Sequence, residues 1–304
     1  MKKMRLTLAS LIGVFAVATA QANDVTVTTF VGEQVVPQNP QRVVVLDYAA
    51  ADTMRELGVK DHIVGISKGM RMPAYLSEFQ TNDNYANVGT LPEPAFEKIN
   101  ELNPDLIIAS GRQEKVLDRL KGIAPVLFLK PDYEHHYESI VQNVLALGKV
   151  FDKEALAQEK VALLEKQISH LANQVAGKNA LVILVNESNI SAYGDTSRYA
   201  MVYQKFGFTP VDKKIKSSTH GMKVGFEYVA EQNPDYLLVV DRTAAITDKA
   251  NNAQKTLDNN IIKQTNAYKN HHIVYLDAAN WYLAFGGLES TAAMVKELEQ
   301  AVQK

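Results

Sequence analysis

Two arginines stand at matching places in this chain. Ser110-Gly111-Arg112-Gln113 follows the apolar run Leu106-Ile107-Ile108-Ala109, and Asp241-Arg242 follows Tyr236-Leu237-Leu238-Val239-Val240. Each run is introduced by a copy of one ten-residue segment, Phe96 to Asp105 and Phe226 to Asp235. The copies lie 130 positions apart and agree at six of ten places. Arg112 and Arg242 therefore belong at equivalent ends of equivalent strands, where open α/β sheets place ligands. Arg198 sits in Tyr193-Gly194-Asp195-Thr196-Ser197-Arg198, a loop entering a helix. Three guanidiniums converging on one cleft select a polyanionic ligand, because each offers a planar fork of donors to oxygen acceptors.

Two other segments carry side chains that could ligate a metal. Ser217-Ser218-Thr219-His220-Gly221-Met222 is a polar loop with a lone histidine. Asn280-Trp281-Tyr282-Leu283-Ala284-Phe285-Gly286-Gly287 is an aromatic loop holding the only tryptophan. Fe³⁺ is a hard acid served by tyrosinate oxygen, with imidazole as a second donor. His220 and Tyr282 could complete the shell of an iron held by a partial chelator. Taken alone, such a loop histidine and tyrosine are more often structural than ligands.

Other chemistries lack their signatures. No glycine-rich phosphate loop follows a strand, and no nucleophile elbow or His-Glu-x-x-His segment occurs. The pairs His135-His136 and His271-His272 read as solvated edge or loop residues, since neighbours on a strand face opposite ways. The chain contains no cysteine, which excludes thiol chemistry, disulfides and a lipid-anchored terminus.

The elements that must position these groups follow from the repeat. Each copy reads as a helix stopped by Asn-Pro-Asp and followed by a fully buried strand. Two such units predict two similarly built lobes with a ligand cleft between them. In the first lobe, Arg42 to Asp47 is a β-branched run suited to a strand covered on both faces. A helix over about 49–57 ends at Gly58, and further strands lie near 63–67, 106–110 and 126–129. Residues 153–174 carry no Gly or Pro and place Leu156, Val161, Leu163, Leu164, Ile168 and Leu171 at roughly helical spacing. This segment is read as one long connecting helix. The second lobe is expected to hold strands at 181–186, 236–240 and 273–276, with helices near 197–206 and over 288–302.

The expected class is thus α/β, with two Rossmann-like lobes joined by a single long helix and the ligand in the inter-lobe cleft. The division is residues 1–22 as a signal peptide, 23–152 as the N-terminal lobe, 153–175 as the connecting helix and 176–304 as the C-terminal lobe. The signal reading rests on the basic Lys2, Lys3 and Arg5, the short apolar stretch Leu6 to Ala18, and cleavage after Ala20 or Ala22. Removing that segment takes the formal net charge from −2 to −5, which argues against bulk nucleic-acid binding. A soluble protein of a Gram-negative periplasm is expected.

These residues together resemble the periplasmic binding proteins for ferric catecholate siderophores, in the group joined by a long connecting helix. The resemblance runs from Arg42-Val43-Val44-Val45-Leu46-Asp47 to Gly287-Leu288-Glu289-Ser290. Its most specific parts are Ser110-Gly111-Arg112-Gln113, Ser197-Arg198, Ser218-Thr219-His220-Gly221, Val240-Asp241-Arg242 and Trp281-Tyr282-Leu283. It implies that Arg112, Arg198 and Arg242 hold catecholate oxygens, and that His220 and Tyr282 ligate iron when the siderophore supplies only four donors. It implies no permanent cofactor, with Fe(III) carried as the siderophore complex. It also implies delivery to an inner-membrane ABC permease by a monomer, with Glu97 and Glu227 docking one on each lobe. Phe285 departs from the glycine-rich pattern of the family's loop and bears on pocket shape.

Three other readings compete. A haem or cobalamin carrier on the same scaffold would leave the arginine set unexplained. Zinc capture finds only scattered histidines. A siderophore hydrolase would need a Ser-His pair, for which Ser218 near His220 is the sole candidate.

Overall fold

Residues 23–215, 219–247 and 249–303 are described by a computed structural model. The expected signal segment, residues 1–22, and the hydrolase candidate Ser218 lie outside the described residues.

A hairpin of β1 (Asp24–Thr29) and β2 (Gly32–Pro37) precedes the first sheet. That sheet contains β3 (Val43–Val45), β4 (Ile63–Ile66), β5 (Ala86–Asn87), β6 (Leu106–Ala109) and β7 (Val126–Phe128), in the order 5-4-3-6-7. Every pairing in it is parallel. β3 and β6 are buried along their whole length, as runs of Val and Ile without alternation require. Helix Tyr48–Glu56 follows β3, capped by the Asp47 carboxylate, which accepts the Ala50 N–H at 3.0 Å.

The second sheet contains β8 (Asn179–Asn186), β9 (Asn189–Tyr193), β10 (Thr209–Pro210), β11 (Met222–Val224), β12 (Tyr236–Asp241) and β13 (Ile273–Leu276). Its order is 11-9-8-12-13, with β10 beside the start of β8. Only half of it is Rossmann-like. β12 runs parallel to β8 and β13, whereas β9 turns back antiparallel on β8 and β11 pairs antiparallel with β9.

The repeat performs the same structural task in both lobes. Helices Phe96–Glu101 and Phe226–Gln232 end before Asn103 (φ 43°) and Asn233 (φ 44°), left-handed residues that the following proline keeps from continuing the helix. The aspartate then clamps the start of the neighbouring strand. Asp105 accepts the N–H groups of Gln41 and Arg42 at 2.8 and 2.9 Å. Asp235 accepts both the backbone and side-chain N–H of Asn179, at 3.2 and 2.7 Å.

The connecting helix spans Glu154–Val175 and buries Ala157, Val161, Leu164, Ile168, Leu171 and Val175, a four-three-four-three-four stripe. Leu163, placed in the stripe by sequence, is instead 53% exposed, and Ala157 rather than Leu156 is the buried residue of the first turn. The closing helix Leu288–Val302 crosses back to pack on the connecting helix and on helix Tyr48–Glu56. The helix expected over 197–206 is reduced to Met201–Gln204. Residues 197–200 form turns instead, with the Ser197 hydroxyl donating to the Gly194 carbonyl at 2.6 Å, and so bury Arg198 and Tyr199.

Candidate functional site

Both sheets reverse their strand order at one place, between β3 and β6 in the first and between β8 and β12 in the second. Crevices open at the carboxyl ends of such strands. The residues leaving those ends include Asp47, Ser110 to Arg112 and Arg242. Together with residues of the helices behind them they line one cleft of about 780 Å³ shared by the two lobes.

Arg112 is held by a fully satisfied turn. Ser110 donates its hydroxyl to Asp47 Oδ2 at 2.7 Å and its N–H to Gln113 Oε1 at 2.9 Å, while Gln113 donates to the Leu46 carbonyl at 3.1 Å. With Ser110 and Gln113 buried, the arginine between them reaches across the cleft. It donates to the carbonyls of Tyr282 (2.7 Å) and Leu283 (3.4 Å). Arg242, the first residue after β12, donates from Nε to the Tyr282 hydroxyl and from Nη1 to Asn186 Oδ1, both at 2.8 Å. Arg198 is 8% exposed and donates to the Tyr282 carbonyl at 3.2 Å. Its guanidinium carbon lies 4.6 Å from the Tyr282 ring centroid and 4.9 Å from that of Phe285.

All three arginines thus meet on Tyr282. Among the described residues none of them forms an ion pair with a carboxylate. Burial and the adjacent Arg198 charge pull Arg112 below the ordinary guanidinium range. A guanidinium still stays protonated, so the three arginines concentrate positive charge around Tyr282 that an anion relieves. Burial alone would raise the Tyr282 phenol. The hydrogen bond from Arg242 and the charges of Arg198, Arg242 and Arg112 outweigh it and hold the phenol below its usual value. A phenol so placed ionises readily toward a hard cation.

Tyr282 belongs to a short helix, Ala278–Leu283, and not to a loop as its glycine-rich neighbourhood suggested. Asp277 caps it, accepting the Asn280 N–H at 2.7 Å. The chain beyond it is fastened to the first lobe. Asp52, fully buried on helix Tyr48–Glu56, accepts the N–H groups of Glu289 (3.0 Å) and Ser290 (2.8 Å) at the start of the closing helix. A Cβ on Gly287 would lie 2.1 Å from Asp52 Oδ2, so only glycine fits there. Burial pushes the Asp52 carboxyl up to about 7 against the lowering effect of those donors.

His220 is exposed and lies on the border of the same cleft, immediately before Gly221 and the edge strand β11. Glu97 and Glu227 are exposed in the first turns of the two repeat helices, one on each lobe. Each of those helices precedes its strand, so its first turn lies toward the strand's carboxyl end, the end that carries the cleft.

The histidine pairs differ from expectation. His135 is exposed, but His136 begins helix His136–Val150 and is buried among Tyr133 and Phe285, with ring centroids 5.3 and 5.9 Å away. Burial, and then the Arg198 charge, push it down to about 3. His272 stacks on Tyr236, with centroids 4.2 Å apart and planes 5° apart. Sequence reasoning also passed over Tyr133, Asn143 and Asn186, polar residues that carry no motif of their own.

The two α/β lobes thus bring three arginines and Tyr282 together in one cleft. Residues 43–279 match the periplasmic binding protein family, and the chain belongs to that family. The petrobactin-binding protein YclQ of Bacillus subtilis is 42% identical over 271 residues, covering 88% of this chain and 84% of its own length. Its crystal structure superposes with a TM-score of 0.89 at 40% identity, over 93% of this chain and 99% of the other. The ferric-anguibactin-binding protein FatB of Vibrio anguillarum is 30% identical over 90% of this chain and 85% of its own length. The periplasmic catecholate-siderophore binding protein VctP of Vibrio cholerae has a TM-score of 0.84 at 35% identity, over 91% of this chain and 100% of the other. These relatives are substrate-binding proteins and not enzymes, which removes the support for a hydrolase. Among the described residues no helix is long and apolar enough to cross a membrane.

Proposed function

We propose that this protein captures a ferric catecholate siderophore between its lobes and delivers it to an ABC permease for iron uptake. The observation that carries this reading is the meeting of Arg112, Arg198 and Arg242 on Tyr282, none of them in an ion pair among the described residues. Deprotonated catechols on Fe(III) form a compact, oxygen-rich anion. Each guanidinium contact to such an oxygen is charge-assisted and contributes roughly 1.5–3 kcal/mol. The relatives that carry petrobactin, ferric anguibactin and a catecholate siderophore support the ligand class.

The preferred form is a tetradentate, linear bis-catecholate. Four catecholate donors leave two octahedral positions, which Tyr282 and His220 fill from the floor and the border of the cleft. A hexadentate tris-catecholate leaves none and gains less here. Haem presents two propionates and cobalamin little negative charge, so neither uses three arginines. Affinity falls in acid, because protons compete with Fe(III) for the donor lone pairs of the catecholate.

The protein is read as a periplasmic monomer after loss of residues 1–22, divided at the connecting helix as the sequence suggested. Glu97 and Glu227, exposed on separate lobes, are assigned to permease docking. Binding is tested by fluorescence titration of the mature protein, with Trp281 as the adjacent reporter, against ferric bis-catecholate, ferric tris-catecholate, haem and cobalamin. Tightest binding of the bis-catecholate is the expected result. Preference for haem or cobalamin, or no binding of either iron complex, overturns the reading.

A further inference from the structure

Tyr282 is held from two sides. On one, the arginines donate to its carbonyl and its hydroxyl. Those contacts are shared with the ligand, because a guanidinium donor that turns to a catecholate oxygen is withdrawn from Tyr282. The residues just before it face the other way. Trp281 is 1% exposed, and its indole Nε1–H donates to Glu297 Oε2 at 2.7 Å. The second oxygen of that carboxylate, Oε1, accepts the backbone N–H of Asp277 at 2.8 Å. One carboxylate on the closing helix Leu288–Val302 thus fastens helix Ala278–Leu283 at its cap and again one turn later.

Asn280 adds two further ties. It accepts the Tyr75 hydroxyl from the first lobe at 3.0 Å and donates Nδ2–H to the Ser290 carbonyl at 3.2 Å. The helix has the ligand cleft on its Tyr282 side and a second cavity of about 790 Å³ on its Asn280 side, where Asp277 and Glu297 also contribute to the lining. Packing is therefore incomplete on that side, and hydrogen bonds carry much of the support. Burial raises the Glu297 carboxyl, and its two donors offset that only in part. These rear contacts do not compete with a ligand for any donor.

We propose that Glu297 is a positioning residue for iron ligation, holding helix Ala278–Leu283 so that the Tyr282 phenol stays aimed at the metal when the arginines engage the ligand. Glu297 touches neither iron nor siderophore and acts through Trp281 and Asp277. This assignment rests on the siderophore reading above and on direct ligation by Tyr282.

The experiment titrates wild type, Glu297→Gln, Tyr282→Phe and the double variant with ferric bis-catecholate and ferric tris-catecholate, read by visible absorbance. Glutamine keeps the size of the side chain but offers one acceptor oxygen in place of two. It is expected to weaken the bis-catecholate about 10-fold, the worth of one ordinary hydrogen bond, and to reduce the charge-transfer shift. Tris-catecholate affinity should stay unchanged, since that ligand needs no donor from the protein. Glu297→Gln should add nothing in the Tyr282→Phe background. Trp281→Phe, which removes one donor and keeps the carboxylate, repeats the test should Glu297→Gln lose thermal stability. Equal weakening of both complexes, a shift as large as in wild type, or an additive loss in the double variant overturns the positioning role alone. A wild-type band unshifted from that of the free complex overturns direct ligation, and failure of wild type to bind either complex overturns the siderophore reading. The assignment falls with each of these.

Discussion

The two copies of the repeat are nearly superimposable in role until their strands end, and there they part. Asn103 and Asn233 adopt the same left-handed turn, and Asp105 and Asp235 clamp the same neighbouring strand. After β6, however, the chain enters a turn locked by Ser110 and Gln113, and Arg112 reaches the backbone of Tyr282 and Leu283 in the other half of the molecule. After β12, Asp241 caps a short helix with its carboxylate, and Arg242 meets the phenol of the same tyrosine. Arg112 of the first lobe grips the main chain of the candidate ligand residue and Arg242 of the second tunes its side chain, while Arg198 shares the Tyr282 carbonyl with Arg112. The repeated segment supplies a frame, and the few residues beyond it supply the chemistry.

That difference is open to direct attack. Replacing Arg112 with Gln removes a charge and the grip on two carbonyls together. Affinity for ferric bis-catecholate is expected to fall roughly 100-fold, against roughly 10-fold for Arg242→Gln, as read by fluorescence titration. Equal losses would erase the distinction between gripping and tuning. The phenol gives the converse test. Its folded-state pKa is lowered chiefly by the Arg242 hydrogen bond working against burial, so phenolate is favoured in the folded protein. Arg242→Gln should move the ultraviolet phenolate transition of Tyr282 upward more than Arg112→Gln does, each measured as the difference from the same variant carrying Tyr282→Phe.

A smaller effect is expected at Asp52, which fastens the chain beyond Tyr282 to the first lobe. Its folded-state value of about 7 lies above that of an unfolded carboxyl, so the folded protein binds this proton more tightly. The stability it confers is fully present at low pH and is lost as pH rises from the unfolded value through about 7. Thermal unfolding of wild type relative to Asp52→Asn should therefore shift downward by a few degrees between pH 5 and pH 8. The smallest effect on affinity belongs to the matched acids. Glu97→Ala and Glu227→Ala should leave titration curves unchanged while each lowers ATPase stimulation of the reconstituted permease, the double variant most.

The sequence carried the frame well because its signals are local. Asn-Pro-Asp stops a helix wherever it occurs, the Val and Ile runs of β3 and β6 declare burial, and residues 153–175 hold helical spacing without interruption. The arginines were legible because the repeat gave them matching addresses. What escaped depends on long-range packing. His136 reads as half of a solvated pair until the start of a helix turns it inward while His135 stays out, since helix neighbours differ by about 100°. The antiparallel return of β9 on β8 depends on the tight turn between Asn186 and Asn189, which no repeat announces. Asp52 looks like one more surface acid of an amphipathic helix. Its role emerges only when Gly287 and Ser290, far along the chain, close over it.

The central claim is that Tyr282, poised by three arginines, ligates the iron directly. It is tested by visible absorbance during titration of wild type, Tyr282→Phe and His220→Ala with ferric bis-catecholate. The account predicts a charge-transfer band in wild type that shifts from that of the free complex, with the shift lost in Tyr282→Phe and reduced in His220→Ala. An identical band in all three proteins, with binding intact, would contradict it and leave a ligand held by the arginines alone.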